Sequence, residues 1–167
     1  LDLADAVPGG IEQPPDLLAV HAQSQPDKPA VIDDRPGQAV SVWSYAELNL
    51  RVNRLANAML ELGIKPRDRV VWCGQNSVGV VEMVNASRKL GSTAVPLNYR
   101  LSDEEAVYVT DHSDARLVYV DAEYAPMFDR IRSEVPKVEH LLVFDGEAPS
   151  GMLGCDSLAA AASSEPP

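Results

Sequence analysis

Residues 70–97 read VVWCGQNSVGVVEMVNASRKLGSTAVPL, and this stretch decides the fold class. Val70-Val71-Trp72-Cys73 is a short unbroken apolar run, the pattern of a strand covered on both faces. The spacing predicts a helix from Ser77 to Leu90, closed by Gly91, because glycine accepts the left-handed conformation at a helix end. Thr93 to Leu97 reads as the next strand. Pro96 has no N–H, so it must sit where the ladder needs no donor. Strands alternating with helices imply a parallel sheet with helices on its faces.

The same alternation extends in both directions. Upstream, Ser44-Tyr45-Ala46-Glu47 is a capping box that opens a helix. Leu48, Val52, Leu55, Met59 and Leu62 follow at spacings of three and four, one buried stripe, and Gly63 ends it. Before it, Ala30-Val31-Ile32 and Val40-Ser41-Val42-Trp43 flank a Pro-Gly turn and predict a β-hairpin. Asp16 to Gln25 predicts a short helix, broken by Pro26-Asp27-Lys28-Pro29. Downstream, Ser102-Asp103-Glu104-Glu105 caps a helix reaching His112, and Leu117 to Val120 reads as a strand. Tyr124, Met127, Phe128, Ile131 and Val135 mark a further amphipathic helix, and Leu141 to Phe144 a further strand. The predicted fold is therefore α/β: a mainly parallel β-sheet flanked by helices, with an N-terminal β-hairpin. The predicted organisation is an irregular arm over 1–15, an α/β subdomain over 16–145, and a linker or frayed end over 146–167 with one short helix near Ser157.

The chain has 167 residues, 46% of them hydrophobic and only 5% aromatic, so its core must be aliphatic. It carries 14 Lys and Arg against 25 Asp and Glu, a net charge of −11. That charge repels phosphate backbones and argues against nucleic-acid binding. Cys73 and Cys155 form no CxxC pair and imply no disulfide framework, which favours a reducing cytoplasm. No apolar run approaches the roughly 18 residues that span a bilayer. Leu1 to Gly10 has no basic start of a signal peptide, and the lack of an initiating Met reads as a trimmed chain. The expected location is cytoplasmic, with peripheral membrane docking left open.

Catalytic patterns are sparse. Gly74-Gln75-Asn76-Ser77-Val78-Gly79 follows a strand and precedes a helix, the setting of a phosphate-binding loop. Val80 and Val81 stand where such a loop needs a lysine and a hydroxyl, so the stretch reads as a turn with Asn76 or Ser77 as helix N-cap. No GxGxxG or GxSxG sequence occurs. His21, His112 and His140 are scattered, with no spacing that converges on a metal. Asp33-Asp34 and Glu104-Glu105 fit a turn and a helix first turn better than acid–base pairs.

Several phrases together carry a resemblance. Trp43 to Leu48 (WSYAEL) resembles the first core motif of adenylate-forming enzymes. Leu62 to Val70 (LGIKPRDRV) resembles their next connection, with Arg67 in place of the usual glycine. Asn76-Ser77 fits the same register. Lys89 to Leu101 (KLGSTAVPLNYRL) resembles the second core motif in its acyl-CoA ligase form, and Glu105, Tyr108 and Asp111 to Arg116 continue it. The resemblance spans about residues 14–145, and its wording is most similar to bacterial fatty-acyl-CoA ligases.

The resemblance implies a two-step reaction. A carboxylate attacks the α-phosphate of ATP with Mg2+ balancing charge, and the thiol of CoA then displaces AMP. It also implies that this chain is the first subdomain of the adenylate-forming fold. The family's Gly/Ser/Thr-rich phosphate loop with its lysine, its aromatic-Thr-Glu motif, its ribose-binding aspartate and its C-terminal lysine do not occur in the chain. The fragment is thus expected to hold no cofactor and to be inactive alone, with a fatty acid and CoA as the parent's substrates. Tyr45, Glu47, Gly91, Pro96 and Asn98 match positions with structural roles. Asn98 and Arg100 end a strand, where α/β sheets bind ligands, and are the candidate residues of a substrate or CoA channel. Arg100 faces that channel or makes a surface ion pair. The stretch 121–129 lacks the arginines with which some relatives hold CoA phosphates. Faces that other subdomains would cover imply self-association. An aryl-acid or amino-acid adenylating enzyme, or a non-catalytic interaction domain, are the remaining alternatives.

Overall fold

The computed structural model describes residues 15–167, so the expected arm lies, but for Pro15, outside the described residues. Helix α1 (Leu17–Ser24) is capped by Asp16, whose carboxylate accepts from the N–H of Ala19 at 3.1 Å. Strands β1 (Pro29–Asp33) and β2 (Ser41–Ser44) pair antiparallel as the predicted hairpin, a separate two-stranded sheet. Helix α2 (Tyr45–Glu61) then starts on the predicted capping box. The Glu47 N–H donates to the Ser44 hydroxyl, and the Ser44 N–H donates to the Glu47 carboxylate. Arg67 has φ 72, the left-handed conformation that glycine adopts most readily, which fits the glycine that the resemblance leads one to expect at this position.

The main sheet is β3 (Arg69–Cys73), β4 (Thr93–Leu97), β5 (Ala115–Asp121), β6 (His140–Phe144) and β7 (Leu153–Gly154), in the order β4-β3-β5-β6-β7. Every pairing in it is parallel. Helices α3 (Val78–Leu90), α4 (Asp103–His112), α5 (Ala125–Arg130) and α6 (Cys155–Ala161) complete the fold. Alternate strand residues feed two cores, as the period-2 geometry of a strand requires. Val70, Leu117, Tyr119 and Leu142 pack with α1, α2, α3 and α6, while Val71, Val118, Val120 and Val143 pack with α4 and α5.

Pro96 lies on edge strand β4. The N–H of Thr93 donates to the Asp68 carbonyl, toward β3, so by alternation Pro96 turns to the open edge and costs no ladder bond.

Two expectations are corrected. The helix predicted through Val135 stops at Arg130, and a 3-10 turn over Arg132–Glu134 follows. Pro136 drives the preceding Val135 out of helical space, to φ −120 and ψ 60. Met127, Phe128, Ile131 and Val135 of the predicted stripe are buried nonetheless. The stretch 146–167, expected as a linker or frayed end with a short helix near Ser157, has that helix as α6 but packs onto the body. β7 adds a fifth strand to the sheet, and the Asn53 and Asn57 amides of α2 donate to the carbonyls of Ser164, Ser163 and Glu165.

Candidate functional site

The strand order sends β3 to β4 on one side and to β5 on the other. In open α/β sheets ligands bind at the carboxyl ends of strands beside such a reversal. Here the loop 74–77 follows β3, residues 98–102 follow β4, and residues 122–124 follow β5.

Side chains tie these loops together. The Gln75 amide donates to the Glu123 carboxylate at 3.2 Å and to the Tyr124 hydroxyl at 3.1 Å. Tyr124 stacks on Tyr99 with ring centroids 4.9 Å apart. The Arg100 guanidinium lies 4.8 Å from the Tyr99 centroid on its ring face. Asn98 turns the chain after β4, its side-chain oxygen accepting from the N–H of Arg100 at 3.0 Å. An open groove of about 710 Å3 results, with Trp72, Asn76 and Arg100 on its lining and the hairpin residues Arg35 and Pro36 as one wall.

Both sequence candidates, Asn98 and Arg100, therefore line one groove, and both are exposed. The ion pairs among the described residues do not include Arg100. Trp72, Gln75, Tyr99 and Arg35 were not singled out from sequence. The place of Tyr99 between two candidates was the available signal for it. Arg35 had none, because only the tertiary fold brings the hairpin to the sheet.

The glycine loop has a packing role. A Cβ on Gly79 would lie 2.6 Å from the Phe144 ring, and one on Gly74 would lie 3.0 Å from both Phe144 and Asp121. These glycines thus seat an aromatic ring against the loop and leave no cradle for phosphate. Ser77 occupies the N-cap position of α3, but its hydroxyl is buried without a partner. Asp33 caps instead, from the hairpin, accepting from the N–H of Val78 at 3.1 Å.

A second cavity of about 220 Å3 lies between the hairpin, α3 and α6. It holds the Arg51–Glu82 pair, with the Arg51 guanidinium 4.5 Å from the Trp43 ring centroid. Burial pushes Glu82 above the usual carboxylate range, against the pull of Arg51. Burial also pushes the Cys73 and Cys155 thiols up to about 12, so both are inert near neutral pH. Among the described residues no cluster of three His, Cys, Asp or Glu could hold a metal ion.

The fold is that of the N-terminal α/β subdomain of adenylate-forming enzymes. The sequence profile of the AMP-binding enzyme family matches residues 18–166, and the chain belongs to that family. It is 33% identical over 124 residues to a crotonobetaine/carnitine–CoA ligase of Escherichia fergusonii, covering 74% of this chain and 24% of that one. It is 31% identical over 117 residues to a fatty acid–[acyl-carrier-protein] ligase of Streptomyces coeruleorubidus, covering 70% of this chain and 22% of that one. Its fold superimposes on a Mycobacterium tuberculosis fatty acyl CoA synthetase with a TM-score of 0.78 and 28% identity, over 90% of this chain and 28% of that one. The chain thus spans about a quarter of the length of these curated relatives. Among the described residues no helix is long and apolar enough to cross a membrane.

Proposed function

We propose that this chain is the N-terminal subdomain of an AMP-forming ligase that converts a fatty acid, ATP and CoA into acyl-CoA, AMP and pyrophosphate. The observation that supports this reading is the family match over residues 18–166, combined with likeness to ligases whose acceptor is a thiol carrier. Within that reading this subdomain frames the substrate path, and the other subdomains of such an enzyme bring ATP and Mg2+. Asn98 and Arg100 line a substrate or CoA channel at the end of β4. An unpaired guanidinium held on an aromatic face suits a phosphate of CoA. The enzyme is cytoplasmic in this reading.

A second acceptor is supported by the carrier-protein ligase, because CoA and acyl carrier proteins present the same phosphopantetheine thiol. Thioester formation by the full-length enzyme, assayed with both acceptors and with panels of fatty, aryl and amino acids, separates the alternatives. Turnover of fatty acids with CoA is expected. Turnover of amino acids alone would overturn the substrate assignment.

The isolated chain is expected to give no ATP–pyrophosphate exchange, and robust exchange by the pure chain would place the chemistry here. Arg100→Ala in the full-length enzyme is expected to raise KM for CoA about tenfold with kcat little changed. An unchanged KM would remove Arg100 from the channel. Exposed Ile32, Val40 and Val42 supply an apolar face for self-association. Sedimentation velocity over a concentration series tests it, and a monomer throughout would refute it.

A further inference from the structure

We infer that Arg35 is a positioning residue: it tethers the hairpin turn to the end of β6 and thereby sets the width of the groove that holds Asn98 and Arg100.

The hairpin does not belong to the main sheet, and a two-stranded sheet is marginal unless something holds it down. Its base is fixed, since the N–H groups of Tyr45 and Ala46 donate to the carbonyls of Lys28 and Pro26. Its outer face is not covered: Ile32 is 64% exposed and its cross-strand neighbour Val42 is 53% exposed. In the turn from Asp34 to Val40 every residue but Arg35 is exposed. Arg35 makes the side-chain bonds of that turn. Its Nε donates to Asp33 at 3.1 Å, and its Nη1 donates to Asp145, which follows β6 in the left-handed conformation at φ 59. The other oxygen of Asp33 caps α3. One guanidinium thus joins the turn, the first turn of α3 and the end of β6.

The same turn is a wall of the groove. Arg35 and Pro36 stand opposite Asn98, Tyr99 and Arg100, which are held by their own stack on Tyr124. One wall is fixed by ring stacking and the other hangs on one ion-paired side chain. Breaking the Arg35–Asp145 contact lets the turn move away and widens the groove without disturbing the sheet. What the groove admits rests on the function proposed above, whereas the tether does not.

The test is a distance measured in the 167-residue chain. Spin labels are placed at Gln38→Cys in the turn and Glu104→Cys at the start of α4, both exposed positions. Cys73 and Cys155 are buried and stay unlabelled. Pulsed electron resonance is expected to give a narrow distance distribution in the parent. Arg35→Ala and Asp145→Asn are each expected to broaden it about twofold and to lengthen its mean. The double substitution should add nothing further, because both remove one interaction. Arg35→Lys should restore it only in part, since an ammonium keeps the charge but lacks the rigid planar fork of a guanidinium. Roughly 1 M salt should broaden the parent but not Arg35→Ala. Asp145→Asn keeps shape and turn preference, and stands in if Arg35→Ala does not unfold cooperatively. Parent-like distributions in the cooperatively folded variants would overturn the inference, whatever the enzyme's substrate.

Discussion

At the scale of single residues, two backbone positions carry opposite lessons. Arg67 holds φ 72 although it has a side chain, which costs about 1 kcal/mol relative to a permitted conformation. Arg67→Gly removes that strain but enlarges the entropy of the unfolded chain. A net gain of roughly 0.5 kcal/mol is expected in chemical denaturation, and a loss would mean that the Arg67 side chain contributes more than its backbone costs. Gly79 is the reverse case. Alanine there suits a helix, but its Cβ would meet the Phe144 ring at 2.6 Å. Gly79→Ala is expected to destabilise by about 1–3 kcal/mol, and Phe144→Leu in the same chain should recover part of that. Full additivity would show that the ring and the loop do not press on each other.

Elements divide by how local their signals are. The capping boxes of α2 and α4 form as written in the sequence, because both partners lie within one turn. Ser44→Ala and Ser102→Ala should each cost about 1 kcal/mol in thermal unfolding. Glu47 and Glu105 are held below their usual pKa by the N–H groups of Ser44 and Ser102. A carboxylate depressed in the folded state contributes stability that is present above its unfolded value and lost as pH falls through the folded one. Stability should therefore drop below about pH 4.5, the ordinary glutamate value. Glu47→Ala should flatten that slope, and an unchanged acid profile would argue against the cap. The α3 terminus behaves differently. Its local serine is unused, and its cap comes from Asp33, a residue 45 positions away. No local pattern encodes such a pairing. A helix running as far as Val135 was disfavoured by Pro136, readable in the sequence, but no local breaker marks the earlier stop at Arg130.

For the molecule as a whole, the last residues hold the core from outside. Asn53 is 2% exposed on α2, and its amide donates to the Ser164 carbonyl at 2.8 Å. Asn57 reaches the Ser163 and Glu165 carbonyls from the next turn of the same helix. Asn53→Ala with Asn57→Ala should release residues 162–167, read as faster amide exchange there and earlier proteolytic cutting. Unchanged protection would assign the docking of this stretch to α6 and β7 alone. The parallel character of the sheet, the helix stripes, the two capping boxes and the need of Pro96 for a position without a ladder donor were all legible in the amino acids, because each rests on periodicity or on partners within a few residues. The motif around Asn98 and Arg100 was legible as well, since it lies on one continuous strand end. The groove itself was not: its walls come from a hairpin some sixty residues upstream and from the loop after β5, and long-range contacts leave no period in a sequence. Only the folded chain decided that Arg35 meets Asp145, that Phe144 fills the glycine loop, and that the tail adds a strand, because those outcomes depend on which buried surfaces find each other in space.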